Sequence, residues 1–334
     1  MLRTQDNLYT LIDSFANPTK PVTLCSLSAN AGSPKFISDT EISYAISNAT
    51  PETIGTLSVI QRMSLVDKRP LTITTVPGDV MDLAWSPDGS NVAYLAYTNF
   101  PDGSNGNQLW LKKGNAPTQM VTPLIPLFGR DGSVNDQTIV RFSPDGKYLL
   151  MVDTFVTGAA PVLEKLAAFQ VISVQDGSLV WVPPSALGAS GNKGGPFITM
   201  AAWSQTSDRL YYRDHAGVHT WDPPATVGMM AAGLVWYSPS LSPDGSLLAY
   251  ANNVTTQPRI EIRNVADGSV RVLAGVKGDP LFLSNQEVIE AHFIKNTQLG
   301  PPFIPSHYYI LDLLTNKETA LPAILGLPMD IWPR

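Results

Sequence analysis

The four histidines are the side chains of this chain best suited to acid–base or metal chemistry. His215 and His219 flank a short Asp-His-Ala-Gly-Val-His segment, and His292 and His307 bracket a longer one. A zinc site needs three or four ligands that converge on one point. Because the histidines fall in two separate parts of the chain, we assign no catalytic and no metal-binding residue.

Two oxygen-rich segments have a faint likeness to calcium loops. Residues 102–107 and 131–136 combine Asp, Asn and Ser with Gly. Neither has the twelve-residue spacing, ending in Glu, of a helix–loop–helix calcium site. We therefore interpret both as solvated loops and assign no cofactor, and a calcium or other divalent ion stays open as the alternative.

The elements that must position such residues are visible as an internal repeat. The tetrapeptide Ser-Pro-Asp-Gly begins at Ser86, Ser143 and Ser242, each time after a hydrophobic residue and before an apolar strand. Weaker copies begin at Ser38, Ser204 and Ser284. The mean spacing of the six serines is about 49 residues, which is typical of one four-stranded propeller blade with its loop.

The tetrapeptide has the residues of a tight turn. Proline presets φ for the second position, aspartate accepts the third, and glycine adopts the left-handed conformation from which the next strand resumes. We therefore interpret Asp88, Asp145 and Asp244 as turn residues rather than as catalytic acids or metal ligands. The aromatic residue ahead of the turn, such as Trp85, is expected to pack against the neighbouring blade.

The remainder of each repeat follows one plan. A second strand, a variable loop, a third strand, a short Asp-Gly or Asn-Lys turn and a fourth strand come in that order. The best candidate for a helix is residues 161–168, inside a loop. The pattern predicts an all-β chain: a β-propeller of four-stranded antiparallel blades.

We expect residues 1–334 to form a single propeller domain. Six complete blades are predicted at residues 35–78, 79–124, 137–184, 197–229, 234–275 and 279–322. Residues 329–333 repeat the pattern of a first strand, and residues 8–13 and 21–25 resemble a third and a fourth strand. We therefore prefer seven blades, the last built from residues 1–26 and 324–334, with six blades as the alternative.

The Ser-Pro-Asp-Gly turns, with an aromatic residue before them and a hydrophobic–Ala–Tyr strand after them, resemble the propeller repeats of TolB-type proteins. The same repeats occur in the propeller domains of prolyl oligopeptidase-type enzymes. The resemblance covers about residues 35–322 and implies the fold, while binding proteins and enzymes share these repeats. We expect no hydrolase domain after the propeller and therefore no prolyl oligopeptidase-type activity from this chain.

Composition excludes several classes of function. The net charge is −6 and the densest basic cluster is Lys112-Lys113, which argues against a nucleic-acid partner. The sequence has no run of 18 apolar residues, so it predicts no membrane span. Charged residues make up only 15% of the chain, and the loops are rich in Asn, Thr and Pro. We expect an extracytoplasmic protein, with the cytoplasm as the alternative.

Loop lengths indicate where binding takes place. The connections between second and third strands are long, for example at residues 47–56, 98–107, 153–168 and 292–307, whereas the turns at the other end are short. Long loops without regular structure are usually functional. The candidate binding residues on this loop face are Phe128, Arg130, Phe155, His215, His292, Phe303 and His307.

Function is open between several classes. We expect a non-enzymatic scaffold that binds a protein or peptide through the loop face, as TolB-type propellers imply. One alternative is a propeller hydrolase or lyase with a metal-assisted site at the channel mouth. Another alternative is an accessory domain of a larger extracytoplasmic protein or assembly.

Overall fold

The computed structural model describes residues 2–3, 9–12, 23–27, 31–38, 40–47, 57–99, 105–121, 138–157, 164–181, 200–204, 207–213, 217–224, 226–232, 237–252, 257–295 and 303–321. All of the regular structure in these ranges is β-strand, so the all-β class is confirmed. None of the described segments is a helix long and apolar enough to cross a membrane.

Six four-stranded antiparallel sheets follow one another along the described chain, each with its strands in sequence order. The first three sheets have these strands: β4 (Ala31–Ser38), β5 (Glu41–Ser47), β6 (Leu57–Ser64) and β7 (Pro70–Pro77); β8 (Asp79–Trp85), β9 (Asn91–Asn99), β10 (Asn105–Lys113) and β11 (Gln119–Val121); β12 (Thr138–Phe142), β13 (Tyr148–Thr157), β14 (Glu164–Ser173) and β15 (Leu179–Trp181).

The fourth to sixth sheets have the same order of strands. Their strands are β16 (Met200–Trp203), β17 (Leu210–Arg213), β18 (Gly217–Asp222) and β19 (Thr226–Ala232); β20 (Tyr237–Leu241), β21 (Leu247–Asn252), β22 (Arg259–Asn264) and β23 (Val270–Val272); β24 (Lys277–Phe282), β25 (Glu287–Lys295), β26 (Phe303–Asp312) and β27 (Glu318–Ala320). A further, three-stranded sheet consists of β1 (Leu2–Arg3), β2 (Tyr9–Ile12) and β3 (Thr23–Leu27).

The chain divides into two compact units, Asn30–Trp203 with Asp222–Thr226, and Met1–Ala29 with Ser204–Trp221 and Val227–Arg334. In each unit the core lies between the faces of consecutive sheets. Between the second and third sheets, Leu95 and Leu109 pack with Val140 and Met151. Between the fifth and sixth sheets, the buried set is Ala249, Ile260, Ile262, Leu273, Phe282, Val288, Leu311 and Leu313.

The Ser-Pro-Asp-Gly turns have the conformation that their sequence predicts. The final glycines, Gly89, Gly146 and Gly245, have φ of 68°, 73° and 70°. In each turn the serine Oγ donates to the aspartate Oδ1 over 2.5–2.7 Å and accepts a backbone N–H of the second strand over 2.9 Å. The three aspartates are thus hydrogen-bonded within their own turns.

Side chains ahead of these turns connect adjacent sheets. The Trp85 indole N–H donates to Ser43 Oγ of the first sheet over 2.7 Å, and the Arg62 guanidinium lies 5.4 Å from the Trp85 ring. Likewise the Trp203 indole N–H donates to the Arg141 carbonyl over 3.3 Å. The expected packing of Trp85 against a neighbouring sheet is therefore confirmed.

A buried carboxylate connects the first strands of three sheets. Asp82 on β8 forms two ion pairs. Its Oδ1 lies 3.2 Å from the Lys35 Nζ of β4, and its Oδ2 lies 2.8 Å from the Arg141 Nη1 of β12. It also accepts the Val140 backbone N–H over 2.9 Å. Burial acts to raise the pKa of Asp82, but the two cations and the backbone bond outweigh it and hold the pKa below its usual value.

One sequence expectation about local structure is wrong. Residues 161–168 were the best candidate for a helix, but Glu164–Ser173 is strand β14, which pairs with β13 from Tyr148↔Ser173 to Thr157↔Glu164. The extended pairing satisfies the backbone groups of both strands. Tertiary pairing therefore overrides the weak helical preference of this short segment.

Candidate functional site

The second and third strands of the sixth sheet extend beyond the strands on either side. Strand β25 pairs with β26 as far as Lys295↔Phe303, whereas β24 pairs with β25 only as far as Lys277↔His292. On the other side, β27 pairs with β26 from Leu311↔Glu318 to Tyr309↔Ala320. The end of the β25–β26 hairpin, opposite the turn at Ser284, therefore has no neighbouring strand among the described residues.

The third sheet repeats this feature. Strands β13 and β14 pair over ten residues, whereas the five-residue β12 reaches only as far as Thr138↔Asp153. Residues 154–157 and 164–167 thus extend past β12. Each extension lies at the end of its own sheet that is remote from the Ser-Pro-Asp-Gly type of turn.

The extended hairpins change the placement of four candidate binding residues. Phe155, His292, Phe303 and His307 were expected in or beside the long loops at residues 153–168 and 292–307, and they lie on strands β13, β25, β26 and β26. The predicted bounds of these loops are wrong, because antiparallel pairing continues to Thr157↔Glu164 and to Lys295↔Phe303. Whether these residues bind a partner stays a prediction. The other three candidates, Phe128, Arg130 and His215, lie outside the described residues, as do residues 131–136 and 102–104.

The sixth sheet gathers a polar cluster on one face. Its members are Lys277 of β24, Glu290 and His292 of β25, and Glu318 of β27. The Lys277 Nζ lies 2.5 Å from both Glu290 Oε1 and Glu318 Oε1. The His292 Nε2 lies 3.4 Å from Glu290 Oε1 and from Glu318 Oε2. The Lys277 side chain thus connects the second and fourth strands of the sheet.

Register explains why these residues meet. Glu290 and His292 are two apart on one strand, so they project from the same face. Lys277 is paired with His292, and Tyr309 is paired with Glu290, which places both on that face. The Tyr309 ring stacks on the His292 imidazole at a centroid distance of 4.0 Å and orients it.

Burial sets the electrostatics of this cluster. Glu290 is 0% exposed, and burial raises its pKa above the usual value despite the Lys277 ammonium. For Glu318 burial acts in the same direction, but the hydrogen bond and charge of Lys277 outweigh it and lower the pKa. Burial acts to lower the pKa of Lys277, and the two carboxylates reverse this and raise it.

The position of the Glu290–Tyr309 pair recurs in every four-stranded sheet that the structure describes. In each sheet one second-strand residue is paired with a third-strand residue at this position. It lies eight residues after the serine that begins the turn, or six residues after it in the first and sixth sheets, where the turn is two residues shorter. The equivalent pairs are Tyr44–Gln61, Tyr94–Trp110, Met151–Gln170, Tyr212–His219 and Tyr250–Glu261. Of these second-strand positions, the sixth sheet alone has a carboxylate.

The fifth sheet shows how the same position is satisfied when the residue types are exchanged. There the tyrosine is on the second strand, and the Tyr250 hydroxyl donates to Glu261 Oε2 over 2.8 Å. Asn252 and Arg259 donate to Glu261 Oε1 over 3.1 and 2.9 Å. In the sixth sheet Tyr309 instead stacks on His292, and Glu290 Oε2 is buried with no hydrogen-bond partner among the described residues.

Sequence reasoning identified His292 and missed the residues around it. The signal that could have found Glu290 is the alternation Glu290-Ala-His292 within a predicted strand, which places a carboxylate and an imidazole on one face. Lys277 and Glu318 have no such local signal. They reach the cluster from strands 13 and 28 residues away from Glu290 in the chain.

Comparison with protein-family models finds no match, and comparison with curated proteins finds none either. Solved structures do match. The β-propeller domain of the Trilobed protease from Pyrococcus furiosus, which has an open velcro topology, matches over 87% of this chain and 82% of its own, at 11% identity and a TM-score of 0.55. The fold is a β-propeller.

Two further structures match this propeller. Pyrococcus horikoshii acylaminoacyl peptidase matches over 88% of this chain, at 14% identity and a TM-score of 0.53. TolB from Acinetobacter baumannii matches over 75%, at 19% identity and a TM-score of 0.41. The propeller spans 46% of the peptidase chain and 58% of the TolB chain. The two matches with TM-scores of 0.53 and 0.55 confirm the propeller fold that the resemblance of the repeats implies.

Proposed function

We propose that this propeller is a non-enzymatic scaffold that binds a protein or peptide partner at the ends of its second-to-third-strand hairpins. The observation that carries the proposal is the extended β25–β26 hairpin. Its Ile294 side chain is 54% exposed, next to the exposed Lys295. Opposite them in register lie Ile304 and Phe303, so apolar residue types concentrate where the sheet has no neighbouring strand.

The opposite end of the sheet differs in character. It consists of short turns in which backbone and side-chain groups bond to one another, as in the Asp312 carboxylate that accepts the Leu314 and Thr315 N–H groups. The hairpin end offers the exposed Ile294 side chain to a partner, whereas such a turn satisfies its own polar groups.

Site-specific photo-crosslinking in the native host tests this proposal. A benzophenone amino acid replaces Ile294 or, as the matched control, Leu314, which is an exposed apolar residue at the turn end of the same sheet. We expect one adduct of discrete mass at position 294 and none at position 314. Excess unlabelled protein should abolish the adduct, and excess Ile294→Asp protein should not.

Equal adducts at both positions, or none at position 294, would contradict the proposal. Because Ile294 is exposed, the Ile294→Asp protein should keep the melting temperature of the parent. That comparison separates loss of a contact surface from loss of the fold.

The same scaffold could serve as an accessory domain of a larger extracytoplasmic protein or assembly. What supports this form of the proposal is that the matched acylaminoacyl peptidase chain is about twice as long as the propeller it shares with this chain. Fractionation of the native host, with the protein detected by an antibody, tests the location. Recovery with the cytoplasmic markers would contradict an extracytoplasmic role.

A metal-assisted hydrolase or lyase is less well supported. A catalytic metal keeps an open coordination position that the substrate can reach. The Glu290 carboxylate is fully buried, so an ion bound to it would leave a substrate little access to an open coordination position. We therefore propose binding rather than catalysis for this chain.

A further inference from the structure

We propose that Glu290, His292 and Glu318 bind a divalent metal ion of the zinc class, in competition with the Lys277 ammonium. One ligand atom from each of the three residues lies within 4.8 Å of the others. That separation is close enough for small rearrangements to bring an imidazole nitrogen and two carboxylate oxygens onto one ion at about 2.0–2.2 Å. This inference is independent of the proposed partner binding.

The cluster has more carboxylates than ammonium groups. Two carboxylates face one ammonium: Glu290, which is buried with Lys277, and Glu318, which is exposed. Burial of an incompletely compensated carboxylate is costly, and a second cation or a proton removes that cost. A divalent ion supplies the missing charge through the same oxygens.

An orphaned oxygen indicates where the additional bond forms. Glu290 Oε2 is buried, and no described residue donates a hydrogen bond to it. The equivalent pair in the fifth sheet has both carboxylate oxygens of Glu261 satisfied, by Tyr250, Asn252 and Arg259. The sixth sheet thus differs from the fifth at the Glu290–Tyr309 pair, where the carboxylate lies beside the His292 imidazole.

The surroundings restrict the ion. The imidazole nitrogen favours zinc and its transition-metal neighbours over calcium and magnesium, which prefer ligands that are all oxygen. On the face of the fifth sheet that packs against this one, the described residues include the apolar Ile260 and Ile262. Arg271 lies on the same face, and its guanidinium donates to the Leu313 carbonyl and to Asn316 Oδ1 at the turn end of the sixth sheet. Tyr309 holds the imidazole ring by stacking.

Replacement of Lys277 provides a direct test of the metal site. Its ammonium lies 2.5 Å from one oxygen of each glutamate, so an ion can bind both carboxylates only when the ammonium moves away. Removal of this charge should strengthen metal binding, whereas a purely structural ion-pair network would only lose stability. Only the metal-site interpretation predicts tighter Zn²⁺ binding after this substitution.

Equilibrium titration of the full chain with Zn²⁺ alone tests the inference. We expect one ion per chain, binding at least roughly tenfold tighter in Lys277→Met and at least roughly tenfold weaker in His292→Ala. Glu287→Gln is the matched control, because Glu287 is an exposed glutamate on the same strand, and it should bind as the parent does.

A spectroscopic readout and a stability readout accompany the titration. Co²⁺ should give visible absorption bands from a nitrogen–oxygen site in the parent and in Lys277→Met, and these should weaken in His292→Ala. Zn²⁺ should raise the melting temperature of the parent, because an ion that binds only the folded chain stabilises it. His292 is half-buried, so its replacement leaves a folded protein for comparison.

Two results would overturn the inference. One is Zn²⁺ binding that is the same in His292→Ala as in the parent. The other is a Lys277→Met protein that is folded by circular dichroism and binds Zn²⁺ no more tightly than the parent. If Lys277→Met does not fold, the loss in His292→Ala of both the Co²⁺ bands and the Zn²⁺-dependent rise in melting temperature decides the question.

Discussion

At the scale of single residues, the aspartates of the repeat act through hydrogen bonds to their own turns. Hydrogen bonds from Ser86 and Ser90 hold the pKa of Asp88 at about 2, and those from Ser178 do the same for Asp176. Burial acts to raise the pKa of Asp244, but the bonds from Ser242 and Ser246 lower it overall. These carboxylates therefore favour the folded chain only when they are ionised.

Acid should remove this contribution. In unfolded chains an aspartate has a pKa of about 3.9. A folded pKa near 2 means that the stabilisation is complete above about pH 4 and is lost as the pH falls toward 2. We expect the urea midpoint of Asp88→Asn to lie below that of the parent at pH 7, and the gap to shrink between pH 4 and pH 2.

Urea unfolding at pH 7, 5, 4 and 3 measures that gap. The prediction depends on the charge of Asp88 and not on its size, because asparagine keeps the shape of the side chain. A gap of the same width at pH 7 and pH 3 would show that the ionised carboxylate contributes nothing to the turn.

At the scale of elements, the first strands of neighbouring sheets depend on Asp82. Its carboxylate connects β4, β8 and β12 through Lys35, Arg141 and the Val140 N–H group. The sequence predicted the strands but not this connection. The partners come from three different repeats, and no local pattern distinguishes Asp82 from the aspartates of the turns.

Replacement of Asp82 should be costly. Asp82→Asn should lower the free energy of unfolding by about 3 kcal/mol, because it leaves two cations and a buried site without their counter-charge. The matched control is Glu41→Gln, since Glu41 forms a half-exposed ion pair with Arg62 and should cost less than about 1 kcal/mol. Urea unfolding at pH 7 measures both, and equal costs would contradict a special role for Asp82.

At the scale of the whole molecule, the closure of the ring stays a prediction. Leu2–Arg3, Tyr9–Ile12 and Thr23–Leu27 form the three-stranded sheet β1–β2–β3, and residues 322–334 lie outside the described residues. We propose that residues 329–333, whose pattern matches a first strand, complete this sheet as a seventh blade. Such pairing would cover a sheet edge and hold the two ends of the chain together.

Deletion of residues 329–334 tests the closure. We expect the melting temperature to fall by at least about 3 °C, because the loss of a paired strand costs more than about 2 kcal/mol and each kcal/mol shifts the melting temperature of a chain of this size by about 1.5 °C. Deletion of Pro333 and Arg334 alone is the control and should leave the melting curve near that of the parent. A melting curve unchanged by the longer deletion would favour six blades.

The sequence by itself determined the features that depend on neighbouring residues. Turn geometry at Gly89, Gly146 and Gly245, strand alternation and the period of about 49 residues are local, since they follow from backbone sterics and side-chain types within a few positions. That was sufficient for the fold class.

Only the tertiary structure decided how far the hairpins extend and which side chains meet. His292 and His307 became strand residues because pairing continued past the first strand of the sheet. The cluster of Lys277, Glu290 and Glu318 depends on strand register and on packing against the fifth sheet. Charges separated by 13 and 41 residues in sequence come within bonding distance only when four strands align, and no pattern along the chain encodes that distance.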